Sequence, residues 1–200
     1  MKAKTISVEI DEFKIKGPAE RMVQLFALGM LAQTLPPAAN VQPLTSTTAP
    51  AFGEYWPGEG GINGGYVPAH GQVPEHYLIF ATKDAGRHAW GRHGETSKAT
   101  DKRDGLANTA ILLAEGDHPA AKAAAEYTAD GHADFYLGAA AEMYQGWLNC
   151  PDKFDQDAYY YTSTQFSADY AYSVGFSGGG QDFGYKYGAR SVRPVRRRFI

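Results

Sequence analysis

Acidic and histidine side chains alternate near residue 130, and residues of these types can bind a metal ion. Asp130, His132 and Asp134 occupy every second position, so on a β-strand they would share one face. The same residues also fit a tight turn at Asp130-Gly131 that leads into a strand, with carboxylates accepting hydrogen bonds from nearby backbone amides. We favour the turn, and we expect neither a metal ion nor any other cofactor.

Two residues with nucleophilic side chains lack the sequence surroundings that activate a nucleophile. Ser163 lies outside any Gly-x-Ser-x-Gly turn, and no signature identifies a partner histidine for Cys150. Because Cys150 is the only cysteine, an intrachain disulfide and a cysteine-rich zinc site are excluded. We therefore expect that the protein is not an enzyme.

Arginines are concentrated near the C-terminal end, where they could contact the phosphates of a nucleic acid. The formal net charge of the chain is −3, which disfavours a general nucleic-acid-binding protein. We expect instead that the arginines lie on a last strand and pair with carboxylates such as Asp169 and Asp182. They are Arg190, Arg193, Arg196, Arg197 and Arg198.

Aromatic residues are the strongest signal in the composition. The chain has 13 Tyr, 10 Phe and 3 Trp beside 23 Gly, and 10 of the 13 tyrosines lie at or after Tyr127. Between residues 159 and 187 they mix with Ser, Thr, Gln, Asp and Gly. This composition is typical of a recognition surface, because rigid rings supply contact area at a low entropic cost. The candidate ligand-contacting residues are Tyr160, Gln165, Asp169, Tyr170, Gln181, Phe183, Tyr185 and Tyr187.

The first 35 residues are predicted to form a strand and a helix. Apolar residues alternate over residues 5–16, with a change of phase at Asp11-Glu12 that indicates a bulge or a tight turn. Residues 36–51 contain four prolines and are predicted to be a linker. Because so short a strand-helix unit rarely folds alone, we interpret residues 1–35 as an assembly or attachment module.

The remaining residues, 52–200, are predicted to form one α+β domain. Residues 53–66 and 83–104 are expected to be loops, the second with a solvated basic surface that includes His88 and His93. Short helices are expected over residues 119–128 and 139–149. Short strands are expected over residues 76–82, 159–164, 170–176, 183–187 and 191–195.

Two further properties bear on location. The longest apolar stretch, residues 22–32, is about half as long as a bilayer-spanning helix, so no membrane insertion is expected. The first residues are charged and alternating, unlike the basic and then apolar start of a secretory signal. We therefore expect synthesis in a cytoplasm.

The order of several short motifs resembles a known protein family. The motifs are D-G-L-A-N-T at 104–109, D-G at 130–131, D-F-Y-L at 134–137, Glu142, Y-Y-T-S-T at 160–164, A-Y-S-V-G-F at 171–176 and R-S-V-R at 190–193. Together they resemble the C-type-lectin-fold domain of unknown function found in many phage and prophage proteins and at the C-terminus of a collagen-like bacterial adhesin. More distantly, they resemble phage tropism determinants. Tyr161 and Tyr172 stand where the family carries Trp, so we expect them to belong to the framework.

The resemblance covers residues 52–198 and implies both a fold and a role. It implies a C-type-lectin-like α+β domain, in which two short helices flank small antiparallel sheets, and binding rather than catalysis. The expected protein is a virion component made in the host cytoplasm, as a tail-fibre or tail-tip protein that binds a host surface receptor. Alternatively, it decorates the capsid or joins the tail, and its head contacts other virion proteins. We expect a homotrimer that attaches to other virion proteins through residues 1–50.

Overall fold

The computed structural model describes residues 5–10, 13–20, 23 and 48–200, and the chain divides into two compact units, Met1–Gln42 and Pro43–Ile200. In the first unit, strands β1 (Thr5–Ile10) and β2 (Phe13–Pro18) pair antiparallel. Ile10 lies opposite Phe13, so the change of phase predicted at residues 11–12 lies between two strands that pair with each other. Residues 11–12 themselves lie outside the described residues. Most of the predicted helix and linker lies outside the described residues.

One sheet of the second unit brings together strands from both ends of that unit. In spatial order it contains β3 (Tyr55–Trp56), β4 (Gly61–Val67), β5 (His76–Ala81), β12 (Pro194–Phe199) and β7 (Tyr136–Leu137). All neighbours pair antiparallel. The C-terminal strand β12 is therefore central, and this position explains why its arginines are largely buried.

The other sheet carries the tyrosine-rich segment. In spatial order it contains β10 (Gln181–Tyr185), β9 (Tyr170–Gly175), β8 (Tyr159–Gln165), β11 (Ala189–Ser191) and β6 (Arg87–Ala89). Its neighbours pair antiparallel, except for a parallel contact between β11 and β8. Strand β10 thus lies at one edge of the sheet.

The described part of the second unit contains three α-helices beside the sheets, which makes it α+β and corrects the expectation of two helices. They are α1 (Gly105–Glu115), α2 (Pro119–Ala125) and α3 (Ala140–Asn149). The additional helix, α1, begins where the Asp104 carboxylate accepts a hydrogen bond from the Ala107 amide at 3.0 Å. An aspartate at this position satisfies one of the free amides of a first helical turn. None of the helices in the described residues is long and apolar enough to cross a membrane.

Three predictions of local structure were wrong. Residues 83–104, expected to be a loop, contain the short strand β6. Residues 53–66 contain β3 and much of β4 rather than a loop, because their glycines allow close packing against β5. A Cβ atom at Gly61 would lie 2.3 Å from the Phe80 carbonyl oxygen, and one at Gly64 would lie 2.3 Å from the Phe80 ring. The strand predicted over residues 191–195 is instead the end of β11 and the start of β12, in different sheets.

Buried apolar residues between 62 and 195, within the described part of the second unit, form two hydrophobic clusters. In the first, the rings of Phe154 and Phe176 stack at 3.8 Å, and Tyr160 packs against both. In the second, Trp90 and Tyr161 lie together among the alanines of α2. Both tyrosines are fully buried. The tyrosine enrichment therefore serves the core as well as the surface.

Candidate ligand-binding surface

Six rings follow one another across the surface at β9 and β10, and we call this set the aromatic strip. Centroids of successive rings are 4.4–5.3 Å apart. This spacing is within the range of stabilising aromatic pairs. In spatial order the strip consists of Tyr172, Phe166, Phe183, Tyr170, Tyr185 and Tyr187.

Strand register explains why these rings meet. Tyr170 lies opposite Tyr185, and Tyr172 lies opposite Phe183. Since side chains alternate between faces, residues two apart on each strand share one face. Phe166, which follows β8, stacks on Phe183 with only 3° between the ring planes. The alternation in the sequence thus becomes a row of rings on one face of the sheet.

The strip is substantially open to solvent. The exposed fractions are 47% for Phe166, 44% for Phe183, 47% for Tyr185 and 64% for Tyr187. A contiguous row of exposed aromatic rings is unusual on a monomer surface and commonly marks an interaction site. A side-chain hydrogen bond with Tyr185 raises the pKa of Tyr170 to about 12, so this hydroxyl is neutral at physiological pH.

Polar groups lie at both ends of the strip. At one end the His93 ring packs against Tyr187 at 4.9 Å, and His93 Nε2 lies 3.5 Å from Asp169 Oδ1. At the other end the Lys102 ammonium lies 5.3 Å from the centroid of the Tyr172 ring. A ligand lying along the strip would therefore meet apolar rings in the middle and ionisable groups at each end.

A surface groove of about 540 Å³ adjoins the Lys102 end of the strip. Lys102 and Gln181 line this groove, and they connect it to Tyr172 and to β10. Its apolar lining includes Phe52, Leu148 and Tyr144. The strip and the groove form one continuous surface that suits an elongated ligand better than a small enclosed one.

The structure separates the eight predicted contact residues into three groups. Tyr170, Phe183, Tyr185 and Tyr187 lie in the strip. Asp169 and Gln181 lie at its borders, beside His93 and in the groove respectively. The remaining two, Tyr160 and Gln165, are buried and are described next.

Tyr160 and Gln165 are removed from the candidate surface because their side chains face the interior. The Tyr160 hydroxyl donates to Asp84 at 3.0 Å and accepts from the Asp155 amide, and burial raises its pKa to about 12. The side-chain oxygen of Gln165 accepts from the Ser97 amide at 2.6 Å. Neither side chain can touch a ligand without unpacking the core.

Sequence reasoning missed four contributors to this surface, and one of them is Tyr172, which was expected to belong to the framework but lies in the strip. His93 was placed in a solvated basic loop, and Lys102 was not singled out, because nothing local shows that either lies near residues 170–187. Phe166 lies within the aromatic segment but after the predicted end of its strand. Only the strand register and the ring contacts bring these residues to the strip.

A buried lysine connects the His93 end of the strip to the interior through hydrogen bonds. Lys186 lies between Tyr185 and Tyr187 in the sequence, and its side chain is fully buried. Its ammonium donates to the Glu95 carbonyl and to Gln165 Oε1, both at 2.7 Å, and lies over the ring of Trp90. Lys186 therefore connects the strip to the loop that carries His93.

The burial of Lys186 predicts how the free energy of unfolding changes with pH. Burial lowers its pKa from 10.5 to about 8. Above pH 8 the unfolded chain then binds more protons than the folded chain, so unfolding becomes less favourable as pH rises. Between about pH 8 and 9.5 we expect the free energy of unfolding to increase, by up to about 1.4 kcal/mol per pH unit. Denaturant titrations at several pH values should show this rise in the natural protein and not in Lys186→Met. Equal slopes of the free energy of unfolding against pH for the two proteins would contradict the prediction.

The alternating acidic and histidine residues near residue 130 form a tight turn, as favoured from the sequence. Asp130 and Gly131 have φ values of 50° and 82° and join the bridged residues Ala129 and His132. The Asp130 carboxylate accepts hydrogen bonds from the Tyr55 hydroxyl and from backbone amides, and these bonds lower its pKa. Within the described residues, no cluster of three or more potential metal ligands is found.

Four of the five C-terminal arginines pair with carboxylates, but the predicted partners were wrong, and Arg190 and Arg193 lie outside the last strand, β12. Within the described residues, no arginine ion pair involves Asp169 or Asp182; Arg190 instead donates to Ser173 Oγ at 2.6 Å. Residues far apart in the sequence supply the actual partners. The ion pairs are Arg193–Asp84, Arg196–Glu59, Arg196–Asp134, Arg197–Asp104, Arg197–Glu142 and Arg198–Glu59.

Several residues of the resemblance motifs meet in a buried polar network. Glu142, in the first turn of α3, accepts hydrogen bonds from the Gly105 and Ala139 amides and from the Tyr136 hydroxyl. Its carboxylate also forms a 2.9 Å ion pair with Arg197. Burial raises the pKa of Glu142, and the Arg197 guanidinium opposes that rise. These contacts join α1, α3, β7 and β12, so the network holds the framework together.

The two nucleophilic side chains are also part of the interior. Ser163 Oγ accepts a hydrogen bond from Asn108 at 3.3 Å, and both residues are buried. Burial raises the pKa of Cys150 to about 11, which keeps its thiol protonated at neutral pH. A protonated thiol is a poor nucleophile.

No known protein-family model matches this chain in sequence, and no curated protein is significantly similar to it. The resemblance to the phage lectin-fold domain therefore stays a prediction from the motifs.

Proposed function

We propose that this protein is a non-enzymatic virion component of a phage, located at a tail fibre or tail tip, that binds a receptor on the host surface. The single observation that carries the binding role is the exposed aromatic strip with its adjoining groove. The C-type-lectin-like identity of the domain belongs to the same proposal. It is supported by the order of the motifs between residues 104 and 193.

The chemistry of the strip suits recognition of a large partner. Tyrosine rings combine an apolar body with a hydroxyl that can donate or accept a hydrogen bond, and they lose few rotamers on binding. Contacts between neighbouring rings already hold them in one arrangement, which lowers the entropy lost on association. Lys102 at one end and the His93–Asp169 pair at the other supply polar contacts that can fix orientation.

In the same proposal, residues 1–50 attach the chain to other virion proteins and assemble it as a homotrimer in the virion. The division of the chain into two compact units supports separate roles for its two parts. Three copies would present three strips to one cell surface. Such multivalency strengthens attachment without any new contact.

A structural role is the second candidate, because the same strip could lie against another virion protein. The protein would then decorate the capsid or join the tail, and its strip would be covered in the assembled particle. The exposed rings of the strip suit contact with a partner in both roles, whether the partner is a host receptor or another virion protein. The location of the chain and the accessibility of the strip in an intact particle distinguish the two roles.

Two measurements on the same phage preparation test the proposal. Gold-labelled antibody against the chain is expected to mark the tail end of intact particles. Purified full-length protein, added to host cells beforehand, is expected to reduce phage adsorption in a dose-dependent way, because free strips occupy the receptor. Labelling of the capsid together with unchanged adsorption would contradict receptor binding and favour the structural role.

A further inference from the structure

Among the described residues, strand β10 forms a sheet edge with few of the usual protecting features. The other edges of the two five-stranded sheets are blunted: β3 and β7 have two residues each, and β6 has three, including basic side chains. Strand β10 has five residues, no proline or lysine, and Asp182 as its only charged residue. Natural proteins usually protect exposed edges because free backbone groups pair with other strands. An edge left this open favours pairing with another strand.

The ladder between β9 and β10 shows which backbone groups face outwards. The Gly175 amide donates to the Gly180 carbonyl, and the Lys186 amide donates to the Asp169 carbonyl. In an antiparallel ladder such hydrogen-bonded positions alternate. Residues 180, 182, 184 and 186 therefore point their backbone groups towards β9. Gln181, Phe183 and Tyr185 point theirs away from the sheet.

The sequence of β10 is compatible with itself in an antiparallel pair. About a two-fold axis at Phe183, this residue lies opposite the partner's Phe183, Gln181 lies opposite the partner's Tyr185, and Asp182 lies opposite the partner's Gly184. The only charged residue on the strand thus faces a glycine rather than a like charge. Phenylalanine rings meet at the axis, and aromatic cross-strand pairs are among the favourable ones.

Hydrogen bonding in this pair is specific. Each copy donates from its Phe183 amide to the carbonyl of the partner's Phe183, and from its Tyr185 amide to the carbonyl of the partner's Gln181. The Tyr185 carbonyl takes no part because it already accepts from the Tyr161 hydroxyl and from the Gly188 amide at 2.9 Å. Because this carbonyl is occupied, the hydrogen bonds between the two copies are limited to the Phe183 amide and carbonyl, the Tyr185 amide and the Gln181 carbonyl. This restriction favours the register centred on Phe183.

We propose that two copies of this chain associate through their β10 edges, antiparallel about Phe183, into one continuous sheet. Such pairing places the two aromatic strips side by side on the same face. It is independent of any association through residues 1–50, and it does not depend on the identity of the receptor.

Cysteine cross-linking of the full-length protein tests this register. Residues in a directly hydrogen-bonded antiparallel pair have Cα atoms about 5.5 Å apart, within the range of a disulfide. Under mild oxidation, Phe183→Cys is expected to form a disulfide-linked dimer on a non-reducing denaturing gel. The matched control is Tyr187→Cys, because Tyr187 is more exposed than Phe183 but lies beyond the end of β10.

We expect Phe183→Cys to cross-link at least about tenfold faster than Tyr187→Cys, and the natural protein, whose one thiol is buried, to remain uncross-linked. Equal rates at positions 183 and 187 would indicate random collision and overturn the proposal. Absence of a dimer for Phe183→Cys would also overturn it and leave the edge to a strand from another protein. Phe183→Lys should weaken self-association in sedimentation velocity, since it places two like charges at the axis; unchanged association would argue against this interface.

Discussion

Replacing Tyr170 and Tyr185 together with alanine is expected to weaken binding to host cells by at least about a hundredfold. Aromatic residues at the centre of an interface commonly contribute about 2 kcal/mol or more each, and about 1.4 kcal/mol corresponds to a tenfold change in affinity. These two rings occupy the middle of the strip and contact each other at 4.4 Å. Their loss also leaves Phe183 and Tyr187 without a ring between them.

The matched control for this experiment is Tyr159→Ala. Tyr159 is 44% exposed and lies at the start of β8, where its ring contacts Arg190 rather than the strip. Binding of fluorescent protein to cells gives the affinities, and circular dichroism checks that all variants remain folded. Equal losses for the control and the double variant, or binding by a folded double variant at the natural level, would remove these rings from the contact surface.

The largest expected effect on stability follows from Glu142→Ala. The substitution leaves the buried Arg197 with one carboxylate partner fewer and removes the acceptor from the Tyr136 hydroxyl and from two backbone amides. Removing one member of a buried ion pair destabilises a protein by about 3–5 kcal/mol. That is a large share of the total stability of a domain, which is about 5–15 kcal/mol.

Glu126→Ala provides the comparison for this variant. Glu126 also pairs with a cation, Lys122, but both side chains are more than half exposed, and such pairs contribute about 0–1 kcal/mol. Denaturation in guanidinium chloride should therefore show a much lower midpoint concentration for Glu142→Ala and an almost unchanged midpoint for Glu126→Ala. Similar midpoints for the two variants would contradict the structural role of the buried network.

Local patterns predicted three strands of the tyrosine-rich sheet, but they did not predict how the sheet that contains β12 is assembled. Alternation and turn residues correctly indicated β8, β9 and, with a shift of two residues, β10, because side-chain direction in a strand follows directly from sequence position. They could not show that β12 enters the middle of the other sheet. That arrangement depends on pairing with β5 and β7, which are distant in the sequence.

The candidate surface could be predicted only in part, for the same reason. Four of the eight predicted contact residues lie in the strip, since an aromatic-rich segment between residues 159 and 187 must expose some of its rings. Burial of Tyr160 and Gln165 depends on partners such as Asp84 and Ser97, which no local pattern identifies. His93 and Lys102 reach the strip from a segment that precedes it by about 70 residues.

Hydroxyl-radical footprinting of the strip, with and without host cell-surface fragments, tests the binding role most directly. It measures how accessible each side chain is in the protein of natural sequence, without any substitution. Receptor binding is predicted to slow oxidation of Phe166, Phe183, Tyr185 and Tyr187 while leaving Tyr159 unchanged. Protection of Tyr159, or of other residues away from the strip, with unchanged oxidation of the strip would contradict the proposal that these rings contact the host.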